Sequence, residues 1–95
     1  NFFENIIKYS PLHNIRKDLE YPSIFIYTAD HDDRVVPAHS FKYAATMQKL
    51  QKEGNPKLIR VGKSAGHGAG KPTNKIIVEA ADKWAFMFNE MGIKY

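Results

Sequence analysis

The chain contains no cysteine, so neither a disulfide framework nor a thiolate metal site is open to it, and the lack of staples suits a reducing compartment. It also has no run approaching the ~20 consecutive apolar residues that span a bilayer, and no charged-then-apolar leader opens it. The expectation is a soluble, cytoplasmic polypeptide without a membrane partner. Charge is not gathered in one place: 14 Lys and Arg stand against 10 Asp and Glu, with lysines scattered from Lys8 to Lys94. Nucleic-acid binders of this size carry a basic stripe or a recognisable module. Neither is found, so no nucleic-acid partner is expected.

What remains is ordinary for a folded protein, with 43% hydrophobic and 25% charged residues. At 95 residues the chain is one domain at most, and a chain this small hides roughly 60–65% of its unfolded surface. It begins at Asn1, inside what reads as the end of a helix, and is expected to be a piece of something longer. No internal repeat or low-complexity segment appears.

In order, Phe2, Phe3, Ile6 and Ile7 share one helix face, and Ser10-Pro11 ends that helix. Leu12 to Tyr21 is polar and reads as a surface connection closed by Pro22. Ser23 to Thr28 is rich in β-branched and aromatic residues without alternation, as in a parallel strand buried on both faces. An acidic loop runs from Ala29 to Val36. Pro37 opens a helix striped with Phe41, Ala44, Ala45, Met47 and Leu50, and Gly54-Asn55-Pro56 stops it. Leu58 to Val61 is a second short strand. A glycine-rich loop follows, and Thr73 is the expected cap of a last helix striped with Ile76, Ile77, Ala80, Trp84, Phe88 and Met91.

Strand, helix, strand in succession implies a parallel pair with a crossover. Parallel strands end at one edge, so Asp32 and His67, each just past a strand end, emerge on the same side with strands ~4.8 Å apart if adjacent. Ligands and catalysis in open α/β sheets collect at that edge. A carboxylate within reach of His67 would set its tautomer and steady the imidazolium formed when it takes a proton. The bland alternative is that Asp32 caps the next helix and His67 is an ordinary loop histidine.

Other patterns fail on spacing or context. Asp30, His31, Asp32, Asp33 and His67 offer metal-ligand types, but consecutive residues rarely face one ion and no His-x-x-x-His face exists, so no metal is expected. Gly66 to Lys71 departs from a phosphate loop, with Ala65 at the first glycine position and Pro72 after the lysine. The third glycine of a dinucleotide fingerprint is replaced by Thr73, and no cofactor is expected. Gly62-Lys63-Ser64-Ala65-Gly66 matches a nucleophile elbow in letters only, because glycines and Pro72 delay the helix that should follow the serine at once. A base and its carboxylate are present without a nucleophile.

The runs Tyr9-Ser10-Pro11-Leu12-His13-Asn14, Tyr21-Pro22-Ser23, Thr28-Ala29-Asp30-His31-Asp32-Asp33-Arg34-Val35-Val36-Pro37 and Ala65-Gly66-His67-Gly68-Ala69-Gly70-Lys71-Pro72 resemble the carboxyl-terminal end of the prolyl oligopeptidase family, across nearly the whole chain. The resemblance implies the C-terminal portion of an α/β-hydrolase fold, incomplete as a domain, with residues 1–95 lacking the propeller and the serine-bearing part. It further implies a serine peptidase that cleaves short proline-containing peptides after proline. In that scheme Asp32 is the triad aspartate, His67 the triad histidine, Arg34 a donor to a substrate carbonyl and Val35 part of the proline pocket. Asp33 is a solvated or capping acid. Alone, such a fragment is expected to be inactive and to self-associate through uncovered apolar faces; the alternative is a noncatalytic binding module derived from such an enzyme.

Overall fold

A computed structural model describes residues 1–51, 53–63, 66 and 70–94. Helix α1 (Phe2–Ile7) and a 3-10 turn (Leu12–Asn14) precede strand β1 (Ile24–Ala29). Helix α2 (Ala38–Leu50), strand β2 (Lys57–Gly62) and helix α3 (Thr73–Glu90) complete the order. The strands pair in parallel, with Ile24 opposite Lys57 and Ala29 opposite Gly62. The βαβ unit expected from the residue pattern is therefore present, with β1 displaced by one residue from Ser23–Thr28 and β2 extended by one residue at each end of Leu58–Val61.

Successive strand side chains point to opposite faces, and β1 uses both. Ile26 shares a cavity wall with His39, Ser40 and Tyr43 of α2. Phe25 and Tyr27 point the other way, to α3: the Phe25 and Phe86 rings lie 5.2 Å apart, and Tyr27 hydrogen-bonds Glu79. Helices thus cover both faces, which explains the absence of polar alternation in β1. The apolar core among the described residues is small, formed by Ala29, Ala44 and Met47.

Helix boundaries differ from the sequence reading most clearly in α2 and α3. Helix α2 stops at Leu50, before Gly54-Asn55-Pro56: Gln51 leaves the helical conformation at φ −119° and ψ 55°, and its side-chain amide donates to the Arg16 and Leu19 carbonyls at 3.1 and 3.0 Å. Thr73 is the first residue of α3 rather than its cap, and no side-chain cap bond forms. The Pro72 carbonyl instead accepts from Lys75 and Ile76 amides at 3.0 and 3.2 Å.

The larger difference concerns which side of α3 meets the sheet. Ile77, Trp84 and Met91 of the apolar stripe are 62%, 54% and 66% exposed. The sheet-facing side carries Glu79, Asp82, Phe86 and Glu90, bonded or stacked to Tyr27, Arg60, Phe25 and Ser23. Polar groups can occupy this face because each of these finds a partner there.

Candidate active site

The acidic loop begins where β1 ends. Asp30 extends the ladder by donating its amide to the Gly62 carbonyl at 3.0 Å. The Asp32 amide then turns back to the Ala29 carbonyl at 3.4 Å. Oδ1 of Asp32 accepts from the Arg34 and Val35 amides at 3.0 and 2.9 Å, an Asx-type turn of the kind aspartate favours. These charge-assisted bonds hold the half-buried carboxylate in one orientation at the carboxyl edge of the sheet. His31 is engaged locally, its Nδ1 2.7 Å from Asp30 Oδ1.

The second loop reaches the first. A β-carbon placed on Gly66 would lie 3.9 Å from the His31 carbonyl oxygen, and Gly66, Asp32 and Val35 line one cavity of about 200 Å³ floored by Tyr27, Thr28 and Ala29. Val35 is thus brought beside Asp32 as a pocket wall, 49% exposed. Arg34 is exposed and is not part of this cavity's wall. Asp33 is exposed. His67 and Ser64 lie outside the described residues. Among the described residues no group of three His, Asp or Glu side chains converges as a metal ion would need.

Behind this edge lies a polar cluster that the residue pattern did not reveal. Lys71 Nζ donates to Glu79 Oε1 and Oε2 at 2.7 and 2.8 Å and to the Tyr27 hydroxyl at 3.0 Å. The Tyr27 hydroxyl itself donates to Glu79 Oε1. Arg60 stands 3.9 Å from Glu79 and binds Asp82 at 2.5 Å. Burial acts to raise the Glu79 carboxyl, but the hydrogen bonds from Lys71 and Tyr27 outweigh it and hold the group below its ordinary value. The bond to Glu79 raises the Lys71 ammonium. The one signal in the sequence was an acid among the apolar residues of α3, which periodicity alone assigns to solvent.

Taken together, the parallel βαβ unit, the orientated aspartate past β1 and Gly66 meeting it at the carboxyl edge define an α/β protein with a candidate site at its strand ends. Comparison with known proteins makes the assignment narrower. The model of the Prolyl oligopeptidase family matches residues 1–94, and the chain belongs to that peptidase family. It is 52% identical over 92 residues to a prolyl endopeptidase of Elizabethkingia miricola and 54% identical over 94 residues to prolyl oligopeptidase A of Amanita bisporigera. These matches take in 97% and 98% of the chain but only 13% and 12% of the relatives. Among solved structures, prolyl oligopeptidase B from Galerina marginata, bound to a 35mer hydrolysis and macrocyclization substrate, superposes with a TM-score of 0.88 at 44% identity. That match covers 98% of this chain and 13% of that one.

Proposed function

We propose that residues 1–95 form the C-terminal part of the catalytic domain of a cytoplasmic, serine-type prolyl endopeptidase acting on short proline-containing peptides. The observation that carries this reading is the meeting of the two strand-end loops, with Asp32, Val35 and Gly66 around one cavity, in a chain of the prolyl oligopeptidase family. The nucleophilic serine belongs to another part of the polypeptide. His67 takes the proton from that hydroxyl as its oxygen bonds to the carbonyl carbon of the proline residue, and Asp32 stabilises the resulting imidazolium. The C–N bond breaks as His67 passes the proton to the leaving amine. Water, deprotonated by the same imidazole, then hydrolyses the acyl ester and restores the serine. Arg34 offers forked donors to a substrate carbonyl, and Val35 offers apolar area to the proline ring.

In the full-length peptidase, His67→Ala lowers turnover of a Gly-Pro reporter peptide by about four orders of magnitude; wild-type turnover would remove the assignment. The chain alone, without nucleophile or complete pocket, hydrolyses nothing. Proline-specific hydrolysis by it that vanishes in Ser64→Ala would restore the local Gly-x-Ser-x-Gly reading instead. A second reading, a noncatalytic module that associates through its surface, is favoured by one observation, the exposed stripe of Ile77, Trp84 and Met91 on α3.

A further inference from the structure

Both ends of the stretch 63–71, which contains His67, are tied to α3. At the far end the Lys71 ammonium reaches both Glu79 oxygens, at 2.7 and 2.8 Å, and the Tyr27 hydroxyl at 3.0 Å. At the near end Lys75 Nζ donates to the Lys63 carbonyl at 3.0 Å. Lys63 directly follows β2, and Tyr27 belongs to β1, the strand that leads to Asp32. The two tethers therefore reference the stretch to the same strands that place the carboxylate.

The far tether is too enclosed to be an incidental surface pair. The Lys71 and Glu79 side chains are only 9% and 11% exposed, and a pair so far removed from water is costly unless its geometry and remaining hydrogen bonds are satisfied. Here they are: the Glu79 carboxylate receives Lys71 and Tyr27, with Arg60 3.9 Å away. The Lys71 and Lys83 ammonium groups each lie 5.1 Å from the Tyr27 ring centroid. A buried ammonium whose donors are all directed to Glu79 and Tyr27 holds the chain at Lys71 against β1 and α3.

We infer that Lys71, Glu79 and Lys75 are positioning residues of the peptidase reaction, fixing the chain at Lys63 and at Lys71, the positions that flank His67 in sequence. This rests on the reading of His67 as the general base. A small misplacement of a catalytic group costs rate far more than it costs substrate affinity. The role therefore separates kcat from KM.

The test uses the full-length peptidase with a Gly-Pro reporter, measuring kcat, KM and thermal midpoint for Glu79→Gln, Lys71→Met, Lys71→Arg and Lys75→Met. Glu79→Gln and Lys71→Met lower kcat on the order of 10- to 100-fold with KM held within about two-fold. Lys71→Arg, which keeps the charge and its donors, recovers most of the loss. Lys75→Met, whose tether lies outside the buried pair, lowers kcat about three-fold with little change in thermal midpoint. A fall in thermal midpoint with wild-type kcat in the folded enzyme would overturn the inference, leaving only a structural pair. Should Lys71→Met fail to fold, Lys75→Met decides, and wild-type kcat there counts against the proposal. His67→Ala separates the two levels: if it is inactive while the tether variants are unimpaired, the tethers alone are refuted, and if it is fully active the site reading itself has failed.

Discussion

The carboxyl group of Asp32 closes a turn, the catalytic role proposed above would add a second duty, and substitutions separate the two. Its Oδ1 closes the turn by accepting from the Arg34 and Val35 amides, a duty that asparagine can also perform because its amide oxygen is an acceptor. The negative charge that would steady an imidazolium is lost in the same substitution. In the full-length peptidase, Asp32→Asn is expected to lower kcat by about four orders of magnitude while leaving the thermal midpoint near wild type; Asp32→Ala loses the turn as well and costs about 1 kcal/mol more in stability. Urea unfolding beside steady-state kinetics checks both, and equal activity of Asp32→Asn and wild type would leave Asp32 only its turn. Arg34, exposed outside the cavity between the loops, is a different case. Its proposed contact is with substrate, so Arg34→Ala should reduce kcat/KM for a Gly-Pro peptide without altering stability.

Helix α3 joins the parts of the molecule through groups that a helical wheel assigns to water. Its length is set by sequence-local devices: Pro72 with φ −57° and ψ 145° at the entry, and Gly92 at φ 70° after Met91 at the exit. The Gly92 and Ile93 amides return to the Asn89 and Phe88 carbonyls, a Schellman closure. Nothing lies within 4 Å of a β-carbon placed on Gly92, so Gly92→Ala meets only the left-handed backbone penalty, about 1–2 kcal/mol, readable as a lower urea midpoint. The Lys71–Glu79 pair gives the same helix a pH signature. Glu79 is depressed in the folded state, so its stabilisation is full above the ordinary glutamate value of about 4.3 and is lost as pH falls through the lower folded value. Lys71 is raised, so its stabilisation is full below the ordinary lysine value of about 10.4 and is lost as pH rises past the folded one. Thermal midpoints measured from pH 7 down to pH 3 should fall less in Glu79→Gln than in wild type; parallel curves would show that the pair contributes no pH dependence.

At the scale of the whole molecule, a slab of 46 × 35 × 17 Å exposes more apolar side chain than its small core conceals. Phe2 is 88% exposed, and the α3 stripe of Ile77, Trp84 and Met91 faces outward; among the described residues the sheet has two strands, so each has an outer edge. The isolated chain should therefore self-associate at micromolar concentration, and Ile77→Lys with Trp84→Lys should shift it toward monomer in light scattering. A clean wild-type monomer would contradict this. How much of this was legible beforehand depends on the range of the interaction. The strand-helix-strand order, the parallel pairing it requires and the emergence of Asp32 at the carboxyl edge follow from local pattern and chain handedness, because side-chain period and crossover geometry are properties of neighbouring residues. The motifs around Asp32 and Gly66 also sufficed to suggest the family. Tertiary structure alone decided that α3 turns Glu79 inward and Ile77, Trp84 and Met91 outward. Periodicity marks the stripes of a helix, but which stripe meets the sheet depends on Tyr27, Arg60 and Lys71, partners distant in sequence that make an inward carboxylate less costly than an unpaired one.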